Sequence, residues 1–361
     1  GALSALGSEI YTSVGSYNLS VIPLFVFMGM ILFHARIAED MYVVLDYFLR
    51  RIRGGLAMAT IATSAAFGAV CGSVIAAAST ISSISVPSMK KLNYDEAFAA
   101  NVAAAGSTLG IVIPPSTGLV LYGVLTEEPI GKLLLGGFLP GIMLAILLMI
   151  TAYLLVLKNP ELAPRVDKGE KISFPWKHAK YVWAMPLMFL LTIGGIYGGI
   201  FNPTEGGGIG AFLAFIVSLV AGRLTLNVLK VSVSESVKIT AMAFMMLIGG
   251  NLFGAFLTLS KLPLALTETI KAMDVAPIVV LLLLILVYFI MGAFMDEIAT
   301  LVIMTPIIYP LVLGLGYNGV WFGVFSIQLL LTGMLTPPVG IVSLIVSQVT
   351  KVPSGRMFKA Q

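Results

Sequence analysis

Long apolar runs without a single charged residue dominate the pattern of hydrophobic and polar positions along this chain. Residues 56–89 contain no Asp, Glu, Lys, Arg or His, and residues 298–350 contain none either. Each run is longer than the roughly 20 residues that a helix needs to cross a bilayer. The pattern therefore predicts an all-α polytopic protein that is embedded in a lipid bilayer.

Composition supports a membrane protein and gives no sign of a nucleic-acid partner. The chain has 361 residues, of which 58% are hydrophobic and 11% are charged, whereas a soluble domain carries about 25% charged residues. The net charge of +4 comes from basic residues in short segments between apolar runs. Such a distribution indicates membrane topology rather than nucleic-acid binding, because basic loops remain in the cytoplasm.

Two proline pairs mark an internal repeat. Pro114-Pro115 and Pro337-Pro338 are separated by 337 − 114 = 223 positions. The same gap-free spacing relates four further pairs of identical residues, which are Pro87 and Pro310, Leu92 and Leu315, Tyr94 and Tyr317, and Gly110 and Gly333. Weak internal symmetry of this kind is typical of transporter folds.

The distribution of basic residues predicts that the two copies have opposite orientations in the membrane. In the first copy the polar links carry Arg50, Arg51 and Arg53, and then Lys90 and Lys91, whereas the matching link 313–319 of the second copy is uncharged. Since basic loops face the cytoplasm, we expect a first inverted repeat at 1–157 and a second at 181–361. Between them we expect a cytoplasmic linker, 158–180, with six basic residues.

The run 56–89 predicts a re-entrant hairpin. As one helix it would be about 50 Å long, but Gly68 and Gly72 lie near its middle. We therefore predict a tip at residues 68–73, and the repeat then predicts a second hairpin at about 276–310 with its tip at 292–297. The alternative is two ordinary membrane helices at each place. It is strongest for the second tip, where Asp296 and Glu297 would suit a surface loop.

Each proline pair predicts a helix that is broken inside the membrane. Proline removes a backbone donor and clashes with the preceding turn, and the residue before it avoids helical geometry. We therefore predict broken helices at about 94–125, interrupted at Pro114 and Pro115, and at about 317–348, interrupted at Pro337 and Pro338. The free carbonyls of such a break suit a cation, and the free amides suit a carboxylate. The alternative is a pair of kinked packing helices without a site.

Several motifs together resemble the large permease subunit of the tripartite ATP-independent periplasmic (TRAP) transporters, the DctM-like family. The resemblance covers nearly the whole chain, and its motifs are Ser20-Val-Ile-Pro-Leu-Phe25, Gly55-Leu-Ala-Met-Ala-Thr60, Leu109-Gly-Ile-Val-Ile-Pro-Pro-Ser116, Tyr197-Gly-Gly-Ile-Phe-Asn-Pro-Thr-Glu205, Gly292-Ala-Phe-Met-Asp296 and Thr336-Pro-Pro-Val-Gly340.

The resemblance implies an inverted-repeat, elevator-type transporter with two re-entrant helical hairpins and two broken helices. It also implies sodium-coupled import of an organic acid across the bacterial or archaeal cytoplasmic (inner) membrane. The implied partners are a small TRAP membrane subunit and a periplasmic substrate-binding protein. A stand-alone sodium–dicarboxylate symporter of similar architecture, without a binding protein, is the alternative.

Two sodium sites are expected where the hairpin tips meet the breaks, with no other cofactor. The first would use Gly68, Cys71, Gly72 and Ser73 with Ser107, Gly110 and Ile113, and the second would use Gly292 and Asp296 with Gly333, Leu335 and Thr336. Most ligands would be carbonyl and hydroxyl oxygens, because these suit a hard cation. The tip departs from the family at Cys71-Gly-Ser-Val74, where the family usually has a more serine-rich tip, and a thiol is a poor ligand for such an ion. For Asp296 the alternative is a helix-capping carboxylate.

The substrate is expected near the membrane midplane, between the tips and the breaks. Ser73, Ser116, Thr117 and Gly340 are its predicted contacts, the glycine because it allows close approach of the backbone. The alternative is that Ser116 and Thr117 only cap the second half-helix. We expect no catalytic residues, because the chain has neither a nucleophile-elbow Gly-x-Ser-x-Gly with a partner histidine nor a His-Glu-x-x-His motif.

The repeat also predicts further membrane helices at both ends. Partners of the helices expected at 181–222 would precede Gly1, and a partner of the helix expected at 137–158 would follow Gln361. We therefore expect that the native protein adds N-terminal helices and a C-terminal helix to this sequence.

Overall fold

The computed structural model of the protein describes residues 2–164, 173–273 and 275–361. Of the predicted linker 158–180, residues 165–172 lie outside the described residues. The described residues form α-helices and no β-strand, in this order: α1 (Ala2–Val14), α2 (Val21–His34), α3 (Ile37–Leu49), α4 (Gly55–Cys71), α5 (Val74–Lys91), α6 (Glu96–Ser107), α7 (Thr117–Thr126), α8 (Ile130–Lys158), α9 (Trp176–Val182), α10 (Ala184–Tyr197), α11 (Pro203–Val220), α12 (Leu226–Ser260), α13 (Leu262–Ala272), α14 (Pro277–Phe294), α15 (Glu297–Gly314), α16 (Gly319–Leu335), α17 (Ile341–Thr350) and α18 (Ser354–Lys359).

Helices that are long and apolar enough to cross a membrane account for much of the chain. Among the described residues six spans meet this condition, namely α8, the stretch 176–197, α11, α12, α14 and α15. The stretch 18–49 adds a seventh if α2 and α3, which meet at 64°, form one broken span. The predicted all-α polytopic class is therefore confirmed.

The spacing of 223 positions relates helix ends as well as sequence landmarks. Helix α5 begins at Val74 and α15 begins at Glu297, 223 positions later. The residues before them, Ser73 and Asp296, are both N-caps, whose side chains accept hydrogen bonds from the amides three residues further on. Such a cap satisfies an amide that the helix itself leaves without a partner.

The same correspondence holds at the start of the two broken helices. Asp95 caps α6 by accepting a hydrogen bond from the amide of Phe98 at 2.8 Å. Asn318, 223 positions later, caps α16 by accepting one from the amide of Trp321 at 3.0 Å. An aspartate side chain and an asparagine side chain therefore cap the two helices in the same way at equivalent positions.

Each hairpin consists of two helices joined by two residues. Helices α4 and α5 are joined by Gly72 and Ser73, and α14 and α15 are joined by Met295 and Asp296. An 18-residue limb such as α15 is about 27 Å long, close to the roughly 30 Å of the hydrocarbon core. The length of the helices is therefore compatible with a re-entrant hairpin and with a pair of spanning helices. The contacts of the tips bear on which of the two is present.

Helix packing interlocks the two repeats. Helix α5 packs on α6 of its own repeat and on α17 of the other, and α15 packs on α16 of its own repeat and on α7 of the other. Helix α2 packs along α11 and α12, and α12 also contacts α15. The tips and breaks of both repeats therefore meet in the interior, beside α2 and α12.

A buried acidic residue of α3, Asp40, joins this helix to α9 and to the segment that follows α11. Asp40 is 1% exposed, and its carboxylate accepts hydrogen bonds from Arg223 at 2.6 and 3.0 Å. It also lies 2.7 Å from Nδ1 of His178. The carboxylate thus has two basic partners, as a buried charge requires.

Candidate functional site

Thr117, the first residue of α7, contacts both hairpin tips. Its amide donates to the carbonyl oxygen of Gly72 at 3.3 Å, and its hydroxyl lies 2.6 Å from the same oxygen. The hydroxyl also lies 3.2 Å from Oε1 of Glu297. Because Glu297 is only 7% exposed, this end of the second tip packs against the first break, whereas the preceding Met295 and Asp296 are half-buried.

The second repeat contains an equivalent bond between its own tip and its own break. The amide of Gly340, which lies 223 positions after Thr117, donates to the carbonyl oxygen of Ala293 at 3.2 Å. Gly340 has φ +54, a left-handed conformation that glycine adopts without steric cost. In each repeat the start of the second half-helix is therefore hydrogen-bonded to the neighbouring hairpin tip.

A pair of glycines lets each hairpin touch its break backbone to backbone. A Cβ atom added at Gly68 would lie 2.6 Å from Cα of Gly110. A Cβ atom added at Gly333 would lie 2.8 Å from Cα of Gly292. Separations this short are clashes, so only glycine permits either contact.

The two breaks differ in exposure. Residues 111–120 of the first break, including Pro114 and Pro115, are all buried, whereas Pro337 and Pro338 of the second are exposed. Both proline pairs are joined by cis peptide bonds. Unwound backbone at membrane depth needs protein or water around it, and the first break has protein on every side.

Ser116 is the N-cap of α7. Its hydroxyl accepts a hydrogen bond from the amide of Leu119 at 3.1 Å and donates one to the carbonyl oxygen of Ile111. Two of the first three amides of α7, those of Thr117 and Leu119, therefore already have protein partners. The capping alternative describes the observed contacts of Ser116.

The residues of the expected first sodium site are only partly brought together. Gly68 and Gly110 are in contact, and Gly72 and Ser73 lie at the same tip. The hydroxyl of Ser107 donates to the carbonyl of Ala104 at 2.7 Å. The Cys71 side chain lies against Gly29 of α2. Ile113 continues the turn before the proline pair, with its amide bonded to Leu109 at 3.0 Å.

Of the residues of the expected second sodium site, Gly292 and Gly333 are in contact. Asp296 accepts a hydrogen bond from the amide of Ala299 at 2.7 Å through Oδ1, which is the capping contact. The carbonyl oxygen of Leu335 accepts a bond from the Ser343 hydroxyl at 3.1 Å. The hydroxyl of Thr336 donates to the carbonyl of Thr332 at 2.7 Å.

A cavity of about 90 Å³ lies between the two tips. Its polar lining is Ser73, Thr117, Asp296 and Glu297, and its apolar lining includes residues of α2 and α12. Of the four predicted substrate contacts, Ser73 and Thr117 line this cavity, and Ser116 and Gly340 do not. Sequence reasoning did not identify Glu297 as a cavity residue, although its charge at the edge of an uncharged run of more than 50 residues was a signal.

A larger polar cavity of about 730 Å³ lies farther along α2 and α5. Its lining comes mainly from α3, including Glu39, Tyr42 and Asp46, together with His34 at the end of α2 and with Thr80 and Ser83 of α5. Helices α2 and α5 thus border both cavities.

Comparison with known proteins gives one consistent result. A family described as "Tripartite ATP-independent periplasmic transporter, DctM component" matches residues 2–361. The chain is 30% identical to the C4-dicarboxylate TRAP transporter large permease protein DctM of Pseudomonas aeruginosa, over 99% of this chain and 84% of that protein. It is 31% identical to the sialic acid TRAP transporter large permease protein SiaM of Vibrio cholerae, over 96% and 80%.

A solved structure shares the fold. The YdaH transporter of Alcanivorax borkumensis superposes with a TM-score of 0.60 at 15% sequence identity, over 96% of this chain and 82% of that one. At this identity the likeness concerns the arrangement of helices. The motif resemblance in the sequence and the family match, by contrast, agree on the same family over the same residues.

Replacing Gly68 with alanine should disrupt the first tip. In Gly68→Ala the new methyl group would overlap the backbone of Gly110, so we expect a loss of stability of about 1–3 kcal/mol and little transport. Gly194→Ala is a matched control, because a Cβ atom at this helical glycine meets no atom within 4 Å. Thermal unfolding of both variants measures the difference. Equal stability of the two variants would contradict the glycine contact.

Proposed function

We propose, because this chain belongs to the DctM family of TRAP transporter large permeases, that it imports an organic acid across the bacterial or archaeal cytoplasmic (inner) membrane by sodium symport. Members of this family are multi-pass transport permeases and not enzymes. The two relatives act on different organic acids by name, a C4-dicarboxylate and sialic acid. The proposed substrate is accordingly a carboxylate of this general type.

One observation carries the proposal of cation coupling. The cavity between the tips is lined by two acidic side chains, and no Lys, Arg or His is among its lining residues in the described part of the chain. An anion in such a cavity would be repelled unless cations enter with it. Sodium ions bound at the tips would supply that positive charge.

The proposed sodium ions lie between tip and break in each repeat. Around Gly68 and Gly110, and around Gly292 and Gly333, backbone approaches backbone without side chains between them. Such places offer carbonyl oxygens, which are the ligands that a hard cation prefers. Asp296 would add a carboxylate to the second ion. The side chain of Cys71 lies against Gly29 of α2 and contains no oxygen, so this residue could offer only its carbonyl.

The substrate carboxylate would bind beside Ser73 and Thr117 in the tip cavity. Thr117 belongs to the first break and contacts both tips, so a ligand bound there would lie next to residues of both repeats. Sodium at the tips and substrate in the cavity would then strengthen each other's binding by the same factor, as linkage requires.

Transport would occur by an elevator movement of the hairpins and broken helices, α4–α7 and α14–α17, along α2, α11 and α12. The larger polar cavity between α3 and α5, beside the end of α2, fits a route between the tip cavity and one side of the membrane. A periplasmic binding protein would deliver the substrate, and a small membrane subunit would support the static helices. These partners are those that the family's name and subunit composition indicate.

Uptake into proteoliposomes tests the proposal. The permease, reconstituted with its small membrane subunit, should take up labelled organic acids only when an inward sodium gradient and the cognate binding protein are both present. Uptake that needs sodium but no binding protein would instead identify a stand-alone symporter. Uptake that is equally fast without sodium would overturn the proposed coupling.

Asp296→Asn separates sodium binding from helix capping, because asparagine caps helices as well as aspartate does. Asn318 shows that cap at the equivalent start of a helix in this protein. Loss of a charged ligand costs roughly 1.5–3 kcal/mol, so the sodium concentration for half-maximal uptake should rise about tenfold or more. Asp95→Asn, at a cap outside the site, is the control. Unchanged sodium activation in Asp296→Asn would leave the carboxylate a cap only.

A further inference from the structure

Glu297 is the one buried carboxylate in the described part of the chain that lacks a basic partner. Three acidic residues there are buried, namely Asp40, Asp46 and Glu297. Asp40 is paired with Arg223 and His178, and Asp46 is paired with Arg50. For Glu297 the described residues provide no such pair, although a buried charge normally has one.

The hydrogen bonds of Glu297 are also incomplete. Its Oε2 atom is buried and has no hydrogen-bond partner among the described residues. Its Oε1 atom lies 3.2 Å from the Thr117 hydroxyl, which has a single proton and a closer acceptor, the Gly72 carbonyl at 2.6 Å. The position of Glu297 at the start of α15 favours a negative charge but gives Oε2 no partner. An acidic residue at membrane depth in this condition points to function.

We propose that the carboxylate of Glu297 binds the positively charged nitrogen of a zwitterionic substrate in the cavity between the hairpin tips. The inference rests on the proposed function, and it narrows the substrate class from organic acids in general to those that also carry an ammonium-type group. The carboxylate end of the same molecule would lie beside Ser73 and Thr117 with the sodium ions, and its nitrogen would lie against Glu297.

The lining of the cavity favours an organic cation over a third metal ion. A sodium ion needs several oxygen ligands, but most of the wall around Glu297 is apolar, from Ile22 and Val26 of α2 and from Ile239, Met242 and Ala243 of α12. An alkylammonium group has three N–H donors, for which the carboxylates of Glu297 and Asp296 are available acceptors, so it needs fewer oxygen ligands than a sodium ion, and its carbon atoms pack against such walls. The volume of about 90 Å³ corresponds to roughly three water molecules, which suits the charged end of a small molecule.

The two adjacent carboxylates line the same cavity but have different contacts. Asp296 accepts a hydrogen bond from the amide of Ala299 in its own helix, whereas Glu297 reaches across to Thr117 of the first repeat. One would serve the coupling ion and the other the substrate.

Binding to the purified permease complex in saturating sodium tests the inference without the selectivity of a binding protein. The probes are pairs of similar size in which a hydroxyl replaces an ammonium group, namely isethionate with taurine, and lactate with alanine. In the wild-type protein the ammonium member of at least one pair should raise Tm at a roughly tenfold lower concentration than its partner. Glu297→Gln should abolish this preference and leave the sodium dependence of Tm unchanged.

Two further variants keep the test interpretable. Glu297→Asp retains the charge on a shorter side chain and should keep part of the preference, even if Glu297→Gln folds poorly. Glu161→Gln removes an exposed carboxylate after α8 and should behave as the wild type does.

Three results would overturn the inference. The first is a wild-type protein that shows no preference for an ammonium probe, or that no probe stabilises at all. The second is a preference that persists in Glu297→Gln. The third is a shifted sodium midpoint in Glu297→Gln with the preference intact, which would make Glu297 a sodium ligand. If sodium-driven uptake of an organic acid persists in these cases, the proposed function stands and only the zwitterion is excluded.

Discussion

The structure depends on one hydrogen bond that occurs once in each repeat, from the first amide of a half-helix to the carbonyl of a hairpin tip. Thr117 makes it to Gly72, and Gly340 makes it to Ala293. The proline pairs interrupt their helices and so leave this amide without a helical partner. The paired glycines remove the side chains that would hold the tip away. Without that close approach, neither of these two amides would reach the carbonyl of its hairpin tip.

The surroundings of this hydrogen bond differ between the two repeats. The first break is enclosed by protein, and the second is exposed at its prolines. Thr117 also reaches the tip of the other repeat through Glu297, so the first break connects both hairpins. Apolar walls from α2 and α12 close the cavity that results. Charge inside it is therefore scarcely screened, and two acidic side chains there strongly favour whichever cations enter.

Sequence reasoning predicted the elements of this site better than their contacts. Gly68 and Gly72 in the uncharged run predicted the first tip, and the gap-free spacing of 223 positions then predicted the second tip and the equivalence of Ser73 and Asp296, which are both N-caps. Spacing relates equivalent positions but says nothing about contacts between the copies, so the reach of Glu297 to Thr117 was not foreseen. The walls from α2 and α12 were missed for the same reason, since apolar membrane helices show no periodicity that marks the face that lines a cavity. The sequence left open whether Ser116 contacts the substrate or caps α7, and the structure shows its hydroxyl in the capping hydrogen bond with Leu119.

Distances between spin labels test most directly whether the tips and breaks of both repeats form one moving unit. Labels would be placed at three exposed positions in a Cys71→Ser background: Lys91 at the end of α5, Leu313 near the end of α15, and Val220 at the end of α11. Between the sodium-free protein and the protein with sodium and substrate, the distance from 91 to 313 should stay constant, while both distances to 220 change. A changed distance from 91 to 313, with constant distances to 220, would contradict the account.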